Sequence, residues 1–366
     1  MMGHLDIKEI DRFLSETAYR GILPGLNCRV IKENKVIYQN AYGYSVKSPI
    51  SKKVTKNTMY DLASVTKIIT SLMIFRLITE DKLTLATKLT ECLSDIRIRP
   101  ELNKHIGHIT VFQLLTHSSS LMAWFPFYTA KEKNFYDILV GLLPGLIQPE
   151  NNEEKITYSD LNFMLLGEII KETTSLSLQE ALHELITEPL NLSSMTFGPV
   201  SAEDIAATEY GNQIEQQMCR DRGLSFREWR STRKPIIGEA NDGNAHYFWE
   251  GQAGHAGIFS TVEDVAKVAQ FFLKGGDWGG VQLVNRKLVT KSMEKQAGNR
   301  GLGWSISPVF PEGAGHTGFT GPSIWVSPEK NLLAVIFTSR LHVASEPKNI
   351  NDFRQTFHNL ILHSLK

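Results

Sequence analysis

A chain of 366 residues is longer than one compact core usually spans, so two domains, or one domain carrying a large insertion, are expected. With 42% hydrophobic and only 21% charged residues it can bury enough apolar surface to offset the entropy of folding, which excludes a disordered chain. Its 39 basic and 39 acidic side chains cancel to a net charge of +0, leaving no global field to grip a polyanion and arguing against nucleic acid as a partner. Cys28, Cys92 and Cys219 are odd in number and widely separated, and so read as reduced thiols, not as a disulfide scaffold.

The first residues carry Asp6, Glu9 and Asp11 where an export signal needs bases and then an unbroken apolar stretch. A cytoplasmic location is expected, with a periplasmic or extracellular one following only if a leader has been removed. The longest apolar run, Ile138 to Ile147, is about half the ~20 residues of a membrane-spanning helix and is cut by Pro144, so no membrane span is expected. Leu5, Ile7, Ile10, Phe13 and Leu14 approximate helical spacing. After Pro24-Gly25 the period becomes two: Leu26, Cys28 and Val30 alternate, Glu33-Asn34 turn the chain, and Val36 to Tyr38 return it toward Gly43 as a hairpin.

Helical signals follow over Val65 to Leu83, after Thr110, over Asp160 to Ile170 and over Leu178 to Ile186. Residues 202–252 lack periodicity and read as a long irregular connection of the kind that lines a site. Thr261 opens a capped helix toward Leu273. Trp304 to Ile306, Ser323 to Val326 and Leu332 to Thr338 read as strands, and Phe353, Phe357, Leu360 and Ile361 as one face of a final helix. Strands at both ends imply an α+β chain: one antiparallel β-sheet built from the N- and C-terminal segments, flanked by helices, with a mostly helical domain inserted. The expected division is 1–60 plus 253–366 for the sheet domain and 61–252 for the insertion.

Three patterns carry chemistry. In Ser64-Val65-Thr66-Lys67 the serine stands at a helix start, where unpaired N–H groups and the macrodipole favour a developing oxyanion. Lys67 falls on the same face one turn on, within reach of the serine proton if its pKa is lowered. Alone, the pattern is common, with serine simply capping the helix. Tyr158-Ser159-Asp160 opens another helix, where Asp160 can serve as a plain cap and Tyr158 as a half-buried ring. His316-Thr317-Gly318-Phe319-Thr320-Gly321 begins a strand with small residues that let a substrate backbone lie alongside, and a histidine there can supply a proton or a positive charge. The order of the three is far more specific than any one of them.

With these motifs the sequence resembles the serine β-lactamase and penicillin-binding-protein superfamily, in particular its class C branch with related esterases and peptidases. Leu114-Leu115-Thr116-His117-Ser118-Ser119 and Gly254 to Thr261 are similar to further signatures of that family. The stretches Asn241 to Ala245 and Thr338 to His342 are most similar to exo-acting N-acetylmuramyl-L-alanine amidases, although relatives carry a histidine where Asn241 stands.

The resemblance implies a β-lactamase/transpeptidase-like fold and a set of roles. Ser64 is the implied nucleophile, Lys67 and Tyr158 share proton transfer, and the backbone N–H groups of Ser64 and Phe319 form the oxyanion hole. Asp160, at a position usually held by Asn, is expected to contact substrate and, if ionised, to hold Lys67 charged, shifting the role of base toward Tyr158. His316 replaces a more frequent lysine, so activity is expected to depend on pH near neutrality. With Thr317 and Gly318 it lines the implied substrate strand, and Asn244, His255 and Arg340 are expected to border the pocket.

The arginines at 220, 222, 227, 230 and 233 read as a solvated face, or else as a clamp for an acidic group. No metal site or cofactor is expected; His105 and His108 lack a helix or carboxylate to complete one. The expected partner is a small-molecule or peptide substrate, best a peptidoglycan-derived muropeptide cleaved at an amide. A carboxylesterase or β-lactam hydrolase of the same fold is the enzymatic alternative. A catalytically silent binding protein is the other, disfavoured because such a protein has no use for Ser64, Lys67 and Tyr158 together. No Gly-x-Ser-x-Gly elbow supports an α/β-hydrolase.

Overall fold

The structure, a computed structural model, describes residues 7–148, 156–343 and 347–365. Helix α1 (Ile7–Tyr19) turns Ile10 and Leu14 inward, as its spacing requires; Leu5 lies outside the described residues. The chain then forms β1 (Gly25–Lys32), β2 (Lys35–Val46) and the short β3 (Lys52–Lys53). Glu33 and Asn34 both adopt positive φ, the two-residue turn whose twist matches that of the flanking strands. Helices α2 (Thr66–Thr79), α3 (Asp160–Thr174) and α4 (Val262–Leu273) follow, then β4 (Ala314–Thr317), β5 (Ser323–Ser327), β6 (Leu332–Thr338) and the last helix, α5 (Asn351–Ser364).

The sheet runs β3-β2-β1-β6-β5-β4 with antiparallel neighbours. Leu26 sits opposite Thr338 and Lys32 opposite Leu332, so the two ends of the chain share one sheet, the α+β arrangement expected. Every residue of β6 is buried, since this central strand is covered on both faces. Leu26, Cys28, Val30, Trp325 and Ile336 pack on one face against α1 and α5. On the other, Ile31, Ile324, Val335 and Phe337 join a core that continues through α4 into α2 and α3. Helix α2 is apolar all round and almost wholly buried, the pattern of a central helix.

The chain departs from the sequence reading in three places. Trp304 to Ile306 form no strand: Ser305 alone bridges Gly315 and Arg300, while Trp304 turns into the core against Phe272, ring centroids 4.9 Å apart. Within 202–252 a helix spans Gln213–Asp221; it is short and largely polar, with Ile214 and Met218 as its apolar pair, and it buries Glu215 and Cys219. The helix from Leu178 changes to a π-helical turn over His183–Thr187.

Candidate active site

A small sheet carries the turn that holds Ser64. Tyr60–Asp61 pairs with Ile258–Ser260, and the Leu62 N–H donates to the Ile258 carbonyl at 2.9 Å. The next residue, Ala63, is held at φ +44°, a left-handed conformation costly for a residue with a Cβ. Asp61 supports it. One carboxyl oxygen accepts from Ala63 N–H at 2.8 Å and the other from Asn241 N–H at 2.7 Å. Burial pushes the Asp61 carboxyl up to about 6, against these hydrogen bonds.

Ser64 then sits in a 3₁₀ turn leading into α2, and Lys67 follows on the first turn of that buried helix. The Lys67 side chain is 0% exposed. Its Nζ lies 3.1 Å from Ser64 Oγ, 3.1 Å from the His255 carbonyl and 2.8 Å from Asp160 Oδ1, three acceptors for the three N–H bonds of an ammonium. Burial pulls the Lys67 pKa down, but Asp160 and Tyr158 outweigh it and the net direction is up. Lys67 is therefore a held cation. Asp160 stands one residue inside α3, with Ser159 at the cap position and the Ser159 hydroxyl donating to Met122 O at 2.7 Å.

The Tyr158 ring lies between cations. Lys67 Nζ is 5.1 Å and Arg300 Cζ 5.0 Å from its centroid, and the His117 ring packs 4.5 Å away. His117 Nδ1 accepts from Ser159 N–H and faces the Asn162 amide nitrogen, both at 3.2 Å. Asn162 is itself fixed by Ser119 Oγ–H at 2.6 Å. Burial, then Arg300 and Lys67, keep His117 well below the usual histidine range, so it is a neutral acceptor that holds the 158–160 turn. Its Leu-Leu-Thr-His-x-Ser motif marks this histidine in the sequence.

Strand β4 runs along the edge of the sheet beside the Ser64 turn. A Cβ on Gly318 would meet the Leu62 carbonyl oxygen at 2.5 Å, so only glycine allows the approach. Thr320 Oγ1 donates to Asp61 O at 2.8 Å, tying the two segments. His316 is 3% exposed, and its Nδ1 donates to the Thr317 carbonyl at 3.0 Å. That bond assigns the ring hydrogen to Nδ1 and leaves buried Nε2 as a lone pair without a hydrogen-bond partner among the described residues. Burial, then Lys67 and Arg300, depress its pKa well below the usual value. The expectation that His316 brings a positive charge or a neutral-range titration is thus corrected: it offers an acceptor.

His255 gives its carbonyl to Lys67 and its Nε2 to Asp242 Oδ1 at 2.9 Å, beneath the site. Arg340 Nη1 donates to Phe319 O at 2.6 Å, and the Phe319 ring is 42% exposed. Asn244 is placed elsewhere: fully buried, it accepts from Phe127 N–H at 2.8 Å and donates to Phe125 O at 2.9 Å, joining two loops. Nor do the arginines form a clamp. Arg230 donates to Asn212 Oδ1, Ala240 O and Asn241 O, an internal staple.

Sequence reasoning missed Asp61, Arg300 and Arg354. Arg354 on α5 donates to the carbonyls of Gly318, Gly321 and Pro322 at 2.9, 3.1 and 3.1 Å, shaping the turn after β4. A lone arginine on the inward face of an amphipathic helix is its only sequence mark. Among the described residues no group of three His, Cys, Asp or Glu side chains is arranged to hold a metal ion, and no helix is long and apolar enough to cross a membrane.

The beta-lactamase family model matches residues 10–356. This chain belongs to the beta-lactamase family. An Escherichia coli (strain K12) member named "Putative D-alanyl-D-alanine carboxypeptidase" is 31% identical over 386 residues, covering 95% of this chain and 86% of that one. The N-acetylmuramyl-L-alanine amidase of Bacillus subtilis (strain 168) is 29% identical over 380 residues, covering 95% of this chain and 84% of that one. Among solved structures, the octameric penicillin-binding protein homologue from Pyrococcus abyssi shares the fold with a TM-score of 0.72 at 20% identity, over 98% of this chain and 78% of that one.

Proposed function

We propose that this beta-lactamase-family hydrolase cleaves an amide bond of a peptidoglycan-derived muropeptide through an acyl-enzyme on Ser64. The observation that carries the reading is Lys67, buried and held by Ser64 Oγ, the His255 carbonyl and Asp160 together. A charged ammonium cannot take a proton, so Tyr158 acts as base and Lys67 orients Ser64 and stabilises the charge that develops. The Ser64 proton passes to the tyrosine oxygen as Oγ attacks the carbonyl carbon. The carbonyl oxygen gains charge against the N–H groups of Ser64 and Phe319. As the C–N bond breaks, the proton moves to the leaving amine, and water then hydrolyses the ester. The Bacillus subtilis relative's name supports an amide N-terminal to a stem peptide as substrate. The Escherichia coli relative's name favours a D-alanyl-D-alanine peptide as second candidate.

Mass spectrometry after incubation with a serine-directed phosphonate or a fluorescent penicillin is the test. The adduct is expected on the peptide containing Ser64, with both adduct and turnover lost in Ser64→Ala. Lys67→Ala and Tyr158→Phe are each expected to lower turnover by ~10²-fold or more, and the pair together by much less than the product. An adduct on another serine, with Ser64→Ala still active on muropeptides, would overturn the assignment.

A further inference from the structure

Around Ser64, Lys67 is paired with Asp160, Arg300 lies against the Tyr158 ring, and His316 is a neutral acceptor. More positive charge gathers next door. A cavity of about 1000 Å³ opens beside the turn after β4, and Arg20, Lys47, Arg340 and Lys348 line it together with apolar Ile350 and Phe353. Among the described residues no aspartate or glutamate lines it, in a chain whose acids and bases are equal in number. Arg340 is half-buried and donates only to neutral oxygens, Phe319 O at 2.6 Å and Lys348 O at 2.7 Å. Behind it, Arg354 also has neutral partners, the carbonyls of 318–322 and Asn351 Oδ1. Among the described residues none of Lys47, Arg340, Lys348 and Arg354 is in an ion pair, and Arg20 has Glu16 at 3.8 Å on the exposed rim. Burial, with Arg340 a lesser cause, pulls the Arg354 pKa down to about 9. His342 in the wall adds no charge: its Nε2 accepts from Lys47 N–H and its Nδ1 donates to Thr208 O.

We infer that this cavity is a second binding site, for the anionic end of a ligand bearing carboxylate or phosphate groups on a partly apolar body. The volume suits a small molecule or short peptide, and Lys47 and Lys348, in no ion pair among the described residues, beside Arg340, on which Glu209 acts from outside the lining, are the electrostatic complement of an anion. Arg340 links the cavity to the reaction through the Phe319 carbonyl, on the residue whose N–H is the second oxyanion donor; this link rests on the functional reading above. A substrate reaching from Ser64 past Phe319 would place its charged end among Arg340, Lys47 and Lys348. Specificity for an acidic substrate then arises here and not at His316.

Two measurements test it. The first needs no turnover: titration of Ser64→Ala with inorganic phosphate and, separately, with tricarballylate by calorimetry. Binding that weakens about tenfold or more in Ser64→Ala carrying Lys47→Glu and Lys348→Glu supports the site, the tighter ligand showing whether phosphate or carboxylate is its chemistry. Equal affinity with and without the two lysines, or no binding of either anion, overturns it. The second compares kcat/KM for an acyl substrate with a distal carboxylate and for its neutral amide in Lys47→Ala/Lys348→Ala. A fall of about tenfold in the ratio supports substrate recognition by the cavity, and an unchanged ratio overturns it. If anions bind through the lysines but no muropeptide is cleaved, the functional proposal fails and the anion site stands.

Discussion

Asp160 decides what Lys67 can do. The carboxylate at 2.8 Å favours the protonated ammonium although burial opposes the charge. Replacing Asp160 by Asn removes the main influence that raises the lysine pKa and leaves burial to lower it. Asp160→Asn is therefore expected to gain a limb in its pH–rate profile on which turnover rises with pH as Lys67 loses its proton, a limb absent from the wild type. The check is kcat/KM between pH 5 and 10 for both proteins. His316 gives a second residue-scale prediction. Because it is buried and neutral, the wild-type profile carries no limb from it between pH 6 and 8, and His316→Gln, which keeps an acceptor, is expected to match the wild type in shape. His316→Lys adds a cation facing Lys67 and Arg300 and is expected to lose at least ~10-fold in turnover. A wild-type limb near pH 6.5 that disappears in His316→Gln would contradict the assigned tautomer.

At the scale of elements, the site depends on how closely a strand edge approaches a turn. Gly318 in the turn after β4 and the Leu62 carbonyl before Ser64 leave no room for a methyl group. Gly318→Ala must move backbone against backbone, and a displacement of a few tenths of an ångström shifts the Phe319 N–H from the oxyanion. Turnover is expected to fall by ~10²-fold, the scale of losing one oxyanion donor, with KM for a neutral ester changed much less. Steady-state kinetics beside a far-ultraviolet dichroism spectrum separate this from unfolding. Arg354 explains why the C-terminal helix matters to the same strand: α5 packs on the outer face of the sheet, yet its guanidinium reaches through to three carbonyls of the 318–322 turn.

Over the whole molecule, buried titratable groups set opposing pH limits. Burial, with Asp242 nearby, raises the Glu215 carboxyl to about 8. The folded chain retains that proton where an unfolded glutamate, near ~4.3, has released it, so this contribution to stability is present at low pH and is lost as pH rises toward 8. His358, between α5 and the sheet, is lowered to about 4 by burial. Its unfolded counterpart binds a proton below ~6.5, so this contribution is lost as pH falls from there toward 4. Between about pH 4.3 and 6.5 the two slopes oppose and cancel, so the melting temperature is expected to be nearly level there and to fall as pH rises from about 6.5 toward 8. Glu215→Gln should remove the alkaline fall and expose a rise from pH 4 to 6.5, and His358→Gln should extend the fall down into the acid range, as measured by scanning calorimetry from pH 4 to 9.

What the sequence determines by itself is what neighbouring residues dictate. A 3.6-residue period puts Lys67 beside Ser64 whatever surrounds them, alternation marks β1, apolar runs mark β5 and β6, and the order of the three motifs is enough to suggest the fold. The helix Gln213–Asp221 escapes that reading because it is short and mostly polar, its apolar stripe only Ile214 and Met218, and Trp304 to Ile306 mimic a strand because their side chains serve the core without a ladder. Only the tertiary structure decides which charges survive. Whether Lys67 is a base or a held cation, which nitrogen of His316 bears the hydrogen, and whether Arg340 faces a carboxylate or an open cavity depend on groups brought together from distant parts of the chain. The reason is physical: hydrogen-bonded periodicity is a local property of the backbone, but desolvation and charge pairing are properties of whatever the fold packs around a side chain.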